Sequence, residues 1–378
     1  MRTLTAAAAA CAVVVALACA ASGASDLLAS GPGTLLRVEV PAPSLAGNLL
    51  GDPPIDLALV WLPPSYDGGS KRYPVLYFLP GFGVPPEAFF FGYFQGLKMH
   101  ESLARLAADG GVCEMILVAP AGQHSVGGSF YVNSPVTGGW EDFVVKDLVS
   151  FVDGEYRTIP SRDARAIAGH SMGGYGALNL AMRHPDLYCA SYALSPGLFA
   201  PDGLSRSQMF ANAEAVGQYL DFQKKLSTMG AEDALAALRS GGLGEDLQFT
   251  ICYGMAFSSD TARPPYVAYP YGASGATSEP DPEIWNTWAM GFGGVPEGVP
   301  WHTDALLSLE SLVIDYGESD EYPWIATGCK YFSSVLTAAG VPHESLPFDG
   351  GHENRLRERI EQHLLPTVSA ALCSVKGR

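Results

Sequence analysis

Two rhythms of apolar residues divide the chain. In the first, short runs rich in Val, Ile, Leu and aromatic residues stop at turn formers. Ile55 to Leu62 carries Ile55, Leu57, Leu59 and Trp61 on one face, and Pro74 to Leu79 ends at Pro80-Gly81. Glu114 to Ala119 ends at Pro120, and Ala164–Ala168, Tyr188–Leu194, Leu312–Tyr316 and Glu344–Phe348 are further runs of this kind. These are predicted strands. In the second rhythm apolar residues recur three and four apart, over Met99–Ala108, Glu141–Val152, Gly174–Arg183, Tyr331–Ala339 and Asn354–Leu365. These are predicted helices. Strand and helix alternate, so the expected fold class is α/β, a mostly parallel central sheet with helices on both faces.

One stretch breaks the alternation. From about residue 196 to 309 a helical first half, Ala211–Leu238, gives way to Gly-, Pro- and aromatic-rich sequence over Ala262–Trp301. Structureless loops of that length are uncommon in a compact domain, so the stretch reads as a cap inserted into one domain spanning residues 25–378. Residues 1–24 read as a signal peptide: Arg2, then an apolar run from Ala6 to Ala21, then Ser22-Gly23-Ala24. The expected destination is the periplasm or the exterior. The run falls short of the roughly 20 residues of a membrane span, and no stable membrane insertion is expected. Cys19 after Ala16-Leu17-Ala18 is the weaker alternative of a lipoprotein site.

Composition narrows the partners. Asp and Glu number 39 against 22 Lys and Arg, a net charge of −17 that repels nucleic acid and anionic membrane faces. Outside the leader the cysteines are Cys113, Cys189, Cys252, Cys329 and Cys373. They cannot all pair and form no CxxC, so one or two disulfides with buried thiols left over fit better than zinc or thioredoxin chemistry. Neither an H-E-x-x-H nor a GxGxxG between strand and helix is present, and no metal or other cofactor is expected.

Gly169-His170-Ser171-Met172-Gly173 fits G-x-S-x-G, and its context carries more weight than the match. A predicted strand precedes it and a predicted helix follows, the setting in which a serine stands on a sharp turn with its hydroxyl exposed. A hydroxyl needs a base to take its proton and an acid to orient that base, in the chain order Ser, acid, His. Asp320 lies in the turn after the strand ending at Gly317, and His352 follows Phe348-Asp349-Gly350-Gly351. Glu318 is the second candidate for the acid, and Asp315, inside the strand, suits a structural role. The N–H groups of Met172 and of Phe82, in the turn after Leu79, are the candidate oxyanion donors.

Leu79-Pro80-Gly81-Phe82-Gly83, Gly128-Ser129-Phe130-Tyr131, Gly139-Trp140-Glu141-Asp142, the Ser171 motif, Asp320-Glu321-Tyr322 and Phe348-Asp349-Gly350-Gly351-His352 together resemble the Putative esterase family of α/β-hydrolases. That family includes S-formylglutathione hydrolases, feruloyl and acetyl-xylan esterases, enterochelin-type esterases and antigen 85 mycolyltransferases. The resemblance runs from about residue 55 to the C-terminus. It implies an α/β-hydrolase fold, a triad of Ser171, Asp320 and His352, and oxyanion donors at Phe82 and Met172. Pro80 departs from the pattern, standing where many members carry His. A serine carboxylic-ester hydrolase is expected, with an acyltransferase to a sugar alcohol or a non-catalytic carbohydrate-binding relative as alternatives. Rings crowd the second half of the cap, and such rings stack on sugars or aromatic acyl groups. Trp285 and Trp288 from the cap, with Tyr131 and Trp140 on the opposite wall, are the candidate contacts for a short-acyl or hydroxycinnamoyl ester, free or carbohydrate-linked.

Overall fold

The computed structural model describes residues 25–272 and 278–373. Nine strands form one sheet: β1 (Ser25–Gly31), β2 (Gly33–Pro41), β3 (Ile55–Leu62), β4 (Val75–Leu79), β5 (Ile116–Pro120), β6 (Arg165–His170), β7 (Ala190–Leu194), β8 (Ser311–Gly317) and β9 (Glu344–Phe348). Their order is β1-β2-β3-β5-β4-β6-β7-β8-β9, and every pair from β5 to β9 is parallel. β1, β2 and β3 join antiparallel at one edge. The expected α/β architecture is thus present. The β1–β2 hairpin adds to it; β1 is largely exposed and slips register between Leu27 and Ala29, so it leaves no clean alternation to read.

Central strands are buried on both faces and alternate between two cores. In β4, Val75, Tyr77 and Leu79 enter one and Leu76 and Phe78 the other. The helices α1 (Met99–Ala108), α2 (Val149–Glu155, preceded by a π turn at Phe143–Leu148) and α3 (Met172–Arg183) flank this part of the sheet.

Between β7 and β8 the chain forms α4 (Ala213–Ser227), α5 (Ala231–Arg239), α6 (Glu245–Phe257) and α7 (Pro282–Gly298). The stretch expected to be helical over 211–238 forms two helices, α4 and α5, parted before Gly230, which holds an extended backbone ahead of α5. Conversely, α7 occupies sequence that reads as irregular. Asp281 caps it by accepting from Glu283 N (3.0 Å) and Ile284 N (3.1 Å), and Pro282 sits in the first turn, where its missing N–H costs nothing. Gly291 in its interior weakens helical propensity, yet a β-carbon there would lie 2.1 Å from the Tyr253 hydroxyl of α6. Close helix packing therefore dictates the residue that hid the helix.

α8 (Pro323–Ala338) follows β8 and begins well before the expected Tyr331. The last helix, α9, runs through Leu356–Arg359, a π turn at Ile360–Leu364 and Leu365–Cys373. It passes Pro366 rather than stopping there, and the wide turn immediately precedes the residue that cannot donate. A Cys113–Cys373 disulfide ties its end to the segment before β5, while Cys189, Cys252 and Cys329 are buried thiols. Among the described residues no helix is long and apolar enough to cross a membrane. The leader at 1–24, with Cys19, lies outside the described residues.

Candidate active site

Sheet order changes direction between β4 and β6, because β4 leads to β5 on one side while β6 continues on the other. Open α/β sheets form their crevice at such a point, beyond the carboxyl ends of the strands. There β6 ends at His170 and α3 begins at Met172, so Ser171 alone makes the turn, at φ 57° and ψ −115°. A non-glycine residue held at such a φ costs roughly 1–3 kcal/mol, which the surroundings must offset. Ser171 N–H donates to Leu194 O (2.9 Å), and Ser171 O accepts from Tyr175 N (3.0 Å) and Gly197 N (3.2 Å). The flanking glycines are forced by backbone proximity: a β-carbon on Gly169 would lie 2.2 Å from Gly173 O, and one on Gly173 1.8 Å from Leu79 O.

Asp320 and His352 meet in the turns after β8 and β9. His352 Nδ1 lies 2.8 Å from Asp320 Oδ2, and the Asp320 side chain is fully buried. The other carboxylate oxygen accepts from Tyr322 N at 2.8 Å. Glu318, the second candidate, points away and pairs with Lys330 at 3.1 Å on the surface. Asp315 pairs with buried Arg359 at 2.9 Å and accepts from the Tyr192 hydroxyl at 3.0 Å. Of the three acids, only Asp320 reaches the histidine.

The backbone of His352 is held from both sides. Its N–H donates to Glu321 Oε2 at 2.6 Å, and that bond holds the Glu321 carboxyl below its usual range. Its carbonyl receives His170 Nε2 at 3.2 Å and the Ser195 hydroxyl at 3.4 Å, and Ser195 in turn accepts from Arg359 Nη2 at 3.1 Å. Burial, with His352 and Arg359 nearby, keeps His170 well below the usual histidine range. His170 is therefore neutral, and its Nε2–H is the donor to the carbonyl. His170 and Glu321 both stand inside motifs of the sequence, but their support of the His352 backbone depends on a partner brought close only by the fold.

Phe82 lies in the turn after β4, and Met172 directly follows Ser171 in the chain. A β-carbon on Gly81 would stand 3.3 Å from Ser171 Cβ, so the turn after β4 abuts the serine. Among the described residues neither the Phe82 nor the Met172 N–H has a protein acceptor. Both residues line, with Ser171 and His352, a cavity of about 500 Å³. Met172 N–H also opens α3, whose dipole favours negative charge at that end.

The candidate substrate contacts are placed elsewhere. Tyr131 is buried behind the turn after β4, its hydroxyl donating to Pro80 O at 3.0 Å. Trp140 is buried against Phe143, with its Nε1 on Thr137 O at 2.9 Å. Trp288 is buried against Tyr253 and donates to Ala268 O at 2.8 Å, and Trp285 packs on Phe210 and Tyr271. None of the four lines the cavity, because each ring finds its partners inside the packing of its own region. The aromatic wall is formed instead by Phe82, Phe249, Phe292, Tyr322 and Trp324, with exposed Tyr93 beside them. Tyr322 and Trp324 stand two and four residues past Asp320, a proximity the sequence does display. Glu245 and Glu353 are exposed at the mouth.

The family described as Putative esterase matches residues 57–246. Esterase Rv1288 of Mycobacterium tuberculosis is 34% identical over 130 residues, covering 33% of this chain and 25% of its own length. The chain thus spans about a quarter of the length of the curated relatives it matches. Among solved structures, a ferulic acid esterase superposes with a TM-score of 0.57 at 22% identity, over 90% of this chain and 100% of that one. An S-formylglutathione hydrolase from Agrobacterium tumefaciens gives 0.54 at 16% identity, over 92% and 98%. At such identities the likeness establishes the α/β-hydrolase fold and nothing finer.

Proposed function

Because the chain belongs to the Putative esterase family, we propose that it is a serine carboxylic-ester hydrolase with Ser171 as nucleophile, His352 as base and Asp320 as the orienting acid. The observation that carries this reading is the 2.8 Å contact of His352 with buried Asp320, with His352 lining the same cavity as a serine on a strained turn. Ser171 Oγ attacks the ester carbonyl while His352 takes its proton, and Asp320 stabilises the imidazolium that forms. Charge on the carbonyl oxygen meets the Phe82 and Met172 N–H groups. His352 then returns the proton to the leaving alcohol, and water repeats the sequence to release the acid from the acyl-enzyme.

The proposed substrates are short-acyl or hydroxycinnamoyl esters, including carbohydrate-linked ones. Supporting this are the ring-lined wall and a cavity of about 500 Å³, within the range of small-ligand pockets. The inserted segment, about 196–309, acts as a cap, contributing Phe249 and Phe292 to the wall. Export through the leader at 1–24 belongs to the same reading.

Ser171→Ala is expected to lower kcat on p-nitrophenyl acetate by at least about 10³-fold while the melting temperature is kept, since triad losses are of that order. Retention of a tenth of wild-type kcat would reject the assignment.

A further inference from the structure

We propose that Gln123 is a positioning residue for the oxyanion hole, setting the direction of the Phe82 N–H without touching substrate; this rests on the esterase reading above. Gly81 O and Phe82 N–H belong to the same peptide unit. That unit is planar and trans, so fixing where its carbonyl points fixes where its N–H points, on the opposite side. Gly81 O accepts from Gln123 Nε2 at 3.1 Å and from Val84 N at 3.2 Å. The Val84 bond closes a tight turn, with Gly83 at φ 68°. Such a turn can flip its central peptide, here Phe82–Gly83, and Gln123 opposes that flip as well: its Oε1 accepts from Gly83 N at 3.3 Å.

One side-chain amide thus clasps the turn on both sides of Phe82. The amide orientation follows from its partners, since a carbonyl can only accept and an N–H only donate. A hydrogen bond received at Gly81 O also polarises the peptide and strengthens Phe82 N–H as a donor. The clasp is itself anchored. Gln123 pairs with Gly128 in a short antiparallel ladder, and Gly128 lies under the Phe82 ring, where a β-carbon would stand 2.6 Å from Cδ2.

The test compares wild type with Gln123→Met, which keeps the volume and loses both bonds, and Gln123→Glu, which keeps the acceptor and loses the donor. Steady-state kinetics on p-nitrophenyl acetate are measured beside inhibition by a trifluoromethyl ketone, whose serine adduct places an oxyanion in the hole. Removal of an oxyanion donor costs about 10²–10³ in kcat, and misdirecting one is expected to cost about 10- to 100-fold. KM should stay within about threefold, and the inhibition constant should weaken by the same factor as kcat/KM. Melting temperatures identify any variant that fails through loss of fold, and the other variant then decides. Wild-type kcat in Gln123→Met, or lost kcat with unchanged ketone inhibition, overturns the proposal and leaves the esterase reading intact. Absence of Ser171-dependent hydrolysis in wild type overturns both.

Discussion

The rim of the sheet and the inserted helices meet at one cavity and are held by different means. At the rim the restraints are backbone ones. Ser171 is fixed by three main-chain hydrogen bonds, Gly169 and Gly173 leave no room for a β-carbon, and His352 is held at both N–H and carbonyl. In the insertion, rings hold rings. Phe249 and Phe292 reach the cavity from α6 and α7, which are locked together by Tyr253 over Trp288 and by the Tyr253 hydroxyl donating to Trp288 O at 2.9 Å and accepting from Phe292 N at 2.9 Å. Chemistry tolerates little displacement and suits main-chain geometry, whereas a packed aromatic wall can change shape without disturbing it. Rim substitutions should therefore move kcat, and insertion substitutions should move substrate preference.

The contrast breaks first at Asp320. Asp320→Asn is expected to depress kcat by about 10³- to 10⁴-fold with KM little changed, by analogy with loss of the orienting acid in other triads. Glu318→Gln should be nearly silent; equal losses in the two would remove Asp320 from its role.

Next in size is the tie beneath the rim. α9 carries Arg359, which supports Ser195 and Asp315 behind His352, and its end is bound through Cys113–Cys373. Cys113→Ser should cost about 2–5 kcal/mol in chemical denaturation, since a long closed loop restricts the unfolded chain. Because α9 also supports the His352 turn, activity should fall at a lower temperature than in wild type. A variant with unchanged midpoint would show the tie to be idle.

A smaller effect concerns Asp56, behind the Gln123 hairpin, whose carboxylate accepts from Gly122 N at 3.2 Å. Burial pushes its pKa from 3.8 up to about 7. Between those values the folded state keeps a proton that the unfolded state has released, so this group makes stability fall as pH rises from about 4 to 7. Asp56→Asn should remove a slope of up to about 1.4 kcal/mol per pH unit from urea-derived stability in that window. An unchanged slope would contradict the raised pKa.

The smallest change sharpens the insertion side. Phe249→Ala should alter kcat/KM by about tenfold for aromatic acyl esters and far less for acetate, about the worth of one lost ring contact. Equal losses on both would make Phe249 part of the catalytic frame instead.

These two regions also differ in how far they can be read from sequence. The strand, serine and helix around Ser171 are visible because close backbone contacts demand glycine at fixed positions, and β3, α1 and β9 agree with their patterns to the residue. The sequence points to Trp285 and Trp288 as substrate contacts, but a count of rings does not say which side of a helix faces the cavity. α7 was hidden by Gly291, whose reason lies in Tyr253, 38 positions earlier. Gln123 and Glu321 hold partners distant in sequence, so only the fold reveals them.

The most direct test of the central claim is covalent. The purified protein is treated with a fluorophosphonate and digested, and the adduct is mapped by mass spectrometry, with Ser171→Ala and His352→Ala in parallel. The account predicts one adduct, on Ser171, formed at a rate that collapses in His352→Ala because the hydroxyl loses its base. Labelling that persists in Ser171→Ala, or falls on another residue in wild type, would contradict it.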